Sequence, residues 1–296
     1  MSGRLRVVVV GLAALSALAA LSALAAPAAM AQRPMQRALE PSMERVLIME
    51  DYLRTVSGLS KHPERLSRSD GYVYLSDLAP VMRYFAETED RASYVQLRTF
   101  LLANMLQRRP EGILLARRFR TGQPFERATP YGYHWTRKAL LDAWQAFGDT
   151  ISAATLAQLV PIEQDGASSS GMYTLSLDCA DAMDVVKSDP APGRAVRSRA
   201  KSFVGTKKAR EEQLATGSVA AEGEVDLLSC LTRLGVALND PDAAVRYLDR
   251  MLDLLHPFLQ HSGRTDLGTG ADVLLTLHRV REAGPTWSAL PARGAR

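Results

Sequence analysis

Through most of this chain apolar residues recur at three- and four-residue spacing, in blocks that stop at small clusters of Asp, Asn, Gly and Pro. A chain patterned this way has to bury one stripe of each helix against a neighbour, so it folds as a succession of helical hairpins. Leu227, Leu228, Leu231, Leu234 and Leu238 form the clearest such stripe. The same spacing predicts helices over residues 43–56, 71–85, 91–107, 133–147, 152–159, 225–238, 242–259 and 268–282. The turns Glu87-Thr88-Glu89-Asp90, Gly148-Asp149 and Asn239-Asp240-Pro241 supply residues that end one helix and cap the next.

Three stretches break the pattern. Gly112-Ile113-Leu114-Leu115, followed by Arg117-Arg118-Phe119-Arg120 and Thr121-Gly122, reads as a short β-hairpin inserted between helices within residues 111–125. Residues 164–171, rich in Ser and Gly, read as a flexible loop, and residues 190–193 as a turn. The hairpins repeat at roughly 50 to 65 residues, longer than the tetratricopeptide period of about 34. Hairpins of unequal length with a β insertion suit a closed ring of helix pairs better than an open solenoid. The expected fold class is therefore all-α, an (α/α) toroid with a small β insertion. Its domain spans residues 32–284, and residues 285–296 form a disordered tail.

The N-terminus carries an export signal. Arg4 and Arg6 precede an unbroken apolar run from Val7 to Ala26, then Pro27 and the small-residue site Ala29-Met30-Ala31. Residues 1–31 are read as a signal peptide cleaved before Gln32, which places the protein in the periplasm or outside the cell. The competing reading is an uncleaved anchor, since the run is nearly long enough to span a bilayer, but its Ala-rich composition is weakly hydrophobic for that role. No stable membrane insertion is expected after cleavage. With 47% hydrophobic and 23% charged residues, the full chain has an ordinary globular composition. The formal charge of +4 includes the two leader arginines, and a surplus that small points to no nucleic-acid partner.

Cys179 and Cys230 are the only two cysteines. In an oxidising compartment they are positioned to form one disulfide closing a loop of about 50 residues; the alternative is two buried thiols on separate helices. No second Cys pair or His cluster stands at ligand spacing, so no metal site is expected. His256 and His261 lie five apart and His278 farther on, without a carboxylate framework. There is no G-x-S-x-G, no Walker loop and no dinucleotide fingerprint, and no cofactor is expected. Ser198-Arg199-Ala200-Lys201 matches S-x-x-K, but its companion motifs are missing.

In a toroid the inner helices send one set of ends into a shared cleft. Four expected helix starts combine carboxylates with aromatic rings. They are Ser69-Asp70-Gly71-Tyr72-Val73-Tyr74, Thr129-Pro130-Tyr131-Gly132-Tyr133-His134-Trp135, Asp178-Cys179-Ala180-Asp181, and Glu222-Gly223-Glu224-Val225-Asp226. Aromatic faces stack on pyranose rings while carboxylates accept hydroxyl hydrogen bonds or move protons. This makes Tyr72, Tyr74, Tyr131, His134, Trp135 and Asp178 candidate sugar contacts, with Asp70 the carboxylate among them at the first start. Each start also reads as an ordinary N-cap, and His134 as a packed side chain. Arg194, Arg197, Arg199, Lys201, Lys207, Lys208 and Arg210 form a basic run, read either as a patch for an acidic polysaccharide or as the solvated face of an outer helix.

In serial order these motifs resemble glycoside hydrolase family 8, the cellulase and chitosanase family built on an (α/α)6 toroid. That family opens an inner helix with Ser-Glu-Gly-Gln-x-Tyr, its Glu being the general acid; Ser69-Asp70-Gly71-Tyr72-Val73-Tyr74 keeps the Ser, Gly and Tyr. The family's Asp-Gly-Leu strand is similar to Glu111-Gly112-Ile113-Leu114. Its Ala-Thr-Asp-Ala-Asp, leading into Ala-Leu-Leu and Trp-Gly, is similar to Ala128-Thr129-Pro130-Tyr131-Gly132, then Ala139-Leu140-Leu141 and Phe147-Gly148. The likeness covers about a quarter of the chain and implies a polysaccharide substrate with Asp70 as acid. Pro130 and Gly132 replace both carboxylates of the second motif, so a water-activating partner has to come from elsewhere; Asp178, Asp181, Glu224 and Asp226 are candidates, and no spacing singles one out. Asp70 also falls roughly one carbon–carbon bond short of a Glu. The expectation is an exported glycosidase-like protein that hydrolyses or only binds a cell-envelope or extracellular polysaccharide. The alternative is a non-enzymatic envelope scaffold that binds another protein or a polymer.

Overall fold

The computed structural model describes residues 46–50, 59–162, 171–203, 220–262 and 267–289. The leader, most of the first expected helix, the loop from Gln164, the basic residues Lys207, Lys208 and Arg210, and the last residues of the tail lie outside them. The described chain is mostly helical: α1 (Leu75–Glu87), α2 (Arg91–Asn104), α3 (Pro130–Phe147), α4 (Thr150–Gln158), α5 (Gly171–Val185), α6 (Ala191–Phe203), α7 (Ala220–Ala237), α8 (Pro241–Ser262) and α9 (Leu267–Ala289). Four short strands interrupt it: β1 (Val73–Tyr74), β2 (Leu106–Arg109), β3 (Gly112–Leu115) and β4 (Arg118–Phe119).

The helices alternate in role. Each even-numbered helix packs on the odd-numbered one before it: α2 on α1, α4 on α3, α6 on α5, α8 on α7. The odd-numbered helices pack on one another, α1 on both α3 and α9, α9 on α7, and α7 on α5. Buried residues follow round nearly the whole of α1, including Leu75, Leu78, Ala79, Val81, Met82 and Ala86, as a helix enclosed by three others requires. Tight turns join odd helices to even ones by one repeated device. A residue in the left-handed conformation, Glu89 (φ 59), Gly148 (φ 62) or Asn239 (φ 54), stops the first helix, and an Asp follows to open the next. Asp90 caps α2 by accepting from the Ser93 N–H at 3.1 Å, and Asp240 accepts from the Ala243 N–H at 3.1 Å.

Several local expectations are corrected. Helix α1 starts at Leu75, not residue 71, because Gly71 takes φ +76 and Val73–Tyr74 pair antiparallel with Arg118–Phe119. The inserted hairpin turns at Pro110–Glu111, with β2 pairing β3, so Arg118–Phe119 is free to reach back to β1. Residues 191–193 form the first turn of α6, opened by the Asp189 carboxylate accepting from the Ala191 N–H at 2.9 Å. Helix α9 runs past Pro285 to Ala289, into the stretch expected to be tail; Pro lacks one N–H and so removes only one backbone bond. Cys179 of α5 and Cys230 of α7 are joined in a disulfide with Cα atoms 6.2 Å apart.

Candidate functional site

Contacts bring the N-terminal ends of several odd-numbered helices to one place. A Cβ on Gly132 of α3 would touch Leu75 of α1 at 3.2 Å, and one on Gly268 of α9 would meet the Ser76 carbonyl at 2.5 Å. The Tyr131 hydroxyl at the start of α3 donates to the Asp226 carboxylate of α7 at 3.4 Å. A cavity of about 270 Å³ opens here, lined by Arg68, Tyr74, Leu75, Ser76, Arg117, Thr129, Tyr131 and Gly132. Local sequence makes its walls: Thr129 caps α3 by accepting from the Gly132 N–H at 3.3 Å, and Pro130 sets the first helical φ. Strands β1 and β4 hold the opposite side, where the Leu75 N–H donates to the Arg117 carbonyl at 2.9 Å.

Asp70, Tyr72, Tyr74 and Tyr131 are the sequence candidates that meet at this edge. Asp70 is exposed in the turn before β1, not at a helix start. Its carboxylate accepts from the Tyr74 hydroxyl at 2.7 Å and the Tyr72 N–H at 3.0 Å. Those two bonds, the hydroxyl first, hold its pKa below the ordinary carboxylate value. A general acid needs the opposite shift. The two tyrosine rings lie 6.2 Å apart, and guanidinium groups already cover their faces. Arg118 and Arg120 sit 4.5 and 4.4 Å from the Tyr72 ring centre, and Arg68 sits 4.5 Å from that of Tyr74.

The other candidates lie elsewhere. Trp135 is 3% exposed and meets Tyr131 edge-on, with Arg83 stacked 5.3 Å from its ring centre, so its faces are spent on packing. His134, equally buried, is pushed down to about 3 by desolvation first and then by Lys138 and Arg83; it stays neutral near pH 7. Its Nδ1 lies 3.6 Å from Asp181. Asp178 falls in the middle of α5, where it pairs with Arg199 of α6 at 2.8 Å. It does not open a helix, because α5 already begins at Gly171. Glu224 is buried beside Arg250. An acid-like upward shift falls on Asp181, through burial first, with Lys138 pulling it back and the nearby Asp184 charge adding to the rise. Asp181 stands against α3, with Lys138 Nζ 3.9 Å away.

Sequence reading missed the arginines. Arg68 makes a two-point pair with the fully buried Asp77, Nε at 2.6 Å and Nη2 at 2.8 Å. Glu126 accepts from both Arg117 (2.8 Å) and Arg118 (2.9 Å). The only sequence signal was the run Arg117-Arg118-Phe119-Arg120, whose partners Tyr72 and Tyr74 lie about 45 positions away, beyond any local pattern. Among the described residues no group of three or more His, Cys, Asp or Glu gathers as metal ligands, and no helix is long and apolar enough to cross a membrane. Comparison with protein-family models, curated proteins and solved structures returns no match for this chain.

Proposed function

We propose that this is an exported helical-toroid protein that binds a cell-envelope or extracellular polysaccharide at the clustered helix ends and has lost hydrolytic chemistry. The observation that carries the binding half is the cavity between α1 and α3. It is concave, close to one sugar residue in size, and walled by Tyr74, Tyr131 and hydrogen-bonding groups. The packing order of the odd-numbered helices supports the toroid. Their succession from α3 through α1, α9 and α7 to α5 is completed by Lys138 of α3, whose ammonium donates to the Ala180 carbonyl of α5 at 3.0 Å. Loss of hydrolysis is supported by the lowered pKa of Asp70 and by Pro130 and Gly132 where the family resemblance calls for carboxylates.

The test is a panel of cellulose, chitosan, xylan and an acidic exopolysaccharide, scored for both binding and reducing-sugar release with the wild type and Asp70→Asn. Binding to one polymer without sugar release is the expected result. Turnover abolished by Asp70→Asn would refute the degenerate reading and make Asp70 a working acid. Absence of both would favour the second reading, an envelope scaffold for another protein. That alternative has its own support in an open groove of about 610 Å³ lined by Leu102, Leu106, Ile113 and Ile151, with Ile151 about half exposed.

A further inference from the structure

We infer that the cavity between α1 and α3 takes an anionic group, so that the polymer bound there is an acidic polysaccharide. The inference rests on the polysaccharide reading above and narrows it.

Two guanidinium groups line the cavity, and they are differently committed. Arg68 is held on two nitrogens by Asp77, whose carboxylate is fully buried and so neutralised by this one partner. The Arg117 side chain is 50% exposed, and among the described residues its guanidinium is bonded through Nη1 alone, to Glu126. A guanidinium carries five N–H donors in a fixed fork, so most of Arg117's remain for a ligand. Glu126 is also shared with Arg118, so one carboxylate answers two cations on this wall. Asp70 spends both oxygens on Tyr74 and Tyr72, and Asp226 stands at the far edge against the Tyr131 hydroxyl.

The backbone adds to the same sign. Helix α1 begins inside the cavity wall at Leu75 and Ser76, and no side chain caps it, its N-cap being Tyr74. The Ser76 hydroxyl makes no hydrogen bond among the described residues. The start of α3, Tyr131 and Gly132, forms the neighbouring wall. The start of α1, which no side chain caps, a hydroxyl and a forked cation therefore meet at one small volume, whose α3 wall is already capped by Thr129. A neutral sugar uses only the hydrogen bonds of such a site; a carboxylate, sulfate or phosphate substituent uses the charge as well. At about 270 Å³ the cavity holds one such residue, and the rest of a polymer has to run across Tyr72, Arg118 and Arg120 outside it.

The experiment measures affinity of the full chain for polygalacturonate, its carboxyl-reduced neutral form, dextran sulfate and dextran. It compares the wild type with Arg117→Gln, Arg117→Lys and Arg194→Gln, the last on the exposed basic face of α6. The expected result is binding to a charged polymer at least roughly tenfold tighter than to its neutral counterpart. Arg117→Gln should lose about tenfold, Arg117→Lys less, and Arg194→Gln nothing. The carboxylated and sulfated arms distinguish the two sources of charge. Equal binding of charged and neutral polymers would overturn the inference and leave the polysaccharide reading standing. Binding that falls with Arg194→Gln and not with Arg117→Gln would also overturn it, moving the charge recognition to α6. Failure of every polymer to bind would overturn both.

Discussion

The interior between the odd-numbered helices and the edge at their N-terminal ends are built from the same residue types, arginine, aspartate and aromatic rings, yet they treat charge differently. Inside, these cations are each answered by carboxylate: Arg233 meets Asp272 at 2.7 Å and also donates to the Thr276 hydroxyl, Arg83 meets Asp142 at 2.6 Å with Glu87 at 3.9 Å, and Lys138 pairs with Asp184 with Asp181 at 3.9 Å. Desolvation makes an unmatched charge there very costly. At the edge Arg118 and Arg120 lie over Tyr72, and Arg117 shares Glu126 with its neighbour. Water tolerates the surplus charge, which leaves donors for something else. The lesson is that matched charge marks what holds the helices together, while unmatched charge at the edge marks where the proposed partner would be met.

The comparison breaks if interior charges prove dispensable. Arg233→Leu strands the Asp272 carboxylate, whose side chain is 6% exposed, and should cost about 3–5 kcal/mol of stability by urea unfolding. The paired replacement Arg233→Leu with Asp272→Leu should recover most of that loss; if it does not, the network is structural in a way charge matching fails to describe. Next in size, Cys179→Ala with Cys230→Ala opens a loop of 51 residues between α5 and α7 and should cost about 2–4 kcal/mol. Gly268→Ala drives a methyl into the Ser76 carbonyl and should cost about 1–3 kcal/mol by parting α9 from α1.

Smaller effects sharpen the contrast. Asp149 pairs with Arg98 and accepts from the Ser152 hydroxyl at 2.6 Å. Burial raises its pKa, but the Ser152 and Arg98 bonds outweigh it, so the folded value lies below 3.8. A depressed folded pKa gives stability that is complete above the unfolded value and lost as pH falls through the folded one. Asp149→Asn should therefore flatten the fall in urea midpoint as pH drops below about 4. Smallest of all, Arg117→Gln at the edge should change stability by less than about 0.5 kcal/mol, as exposed pairs do. A large loss would mean that the edge is structural after all.

What the sequence revealed follows from how local the physics is. The Glu89-Asp90, Gly148-Asp149 and Asn239-Asp240 turns were legible because left-handed backbone and an Asp cap are decided by two adjacent residues. The apolar stripe of α7 was legible for the same reason, every member lying within three turns. The start of α1 was not, because β1 exists only through β4, and the bridge Tyr74 to Arg118 joins residues 44 apart. Likewise Trp135 reads as an available ring at a helix start, and only the packing of Tyr131 and Arg83 against it reveals that its faces are taken. The arginine edge needed both kinds of long-range information at once.

The contact between α9 and α1 carries a consequence for how the chain is made. Helix α9 supplies Asp272 to Arg233 and sets Gly268 against Ser76, so the last helix of the described chain completes the pairing of Arg233 and backs the start of α1. A polypeptide emerging N-terminus first holds α1 early but leaves it with an uncovered face until some two hundred residues have followed. Folding of this protein is therefore committed late: a nascent chain stalled before α9 carries an unmatched arginine and an uncovered face on α1, whatever else it has already packed.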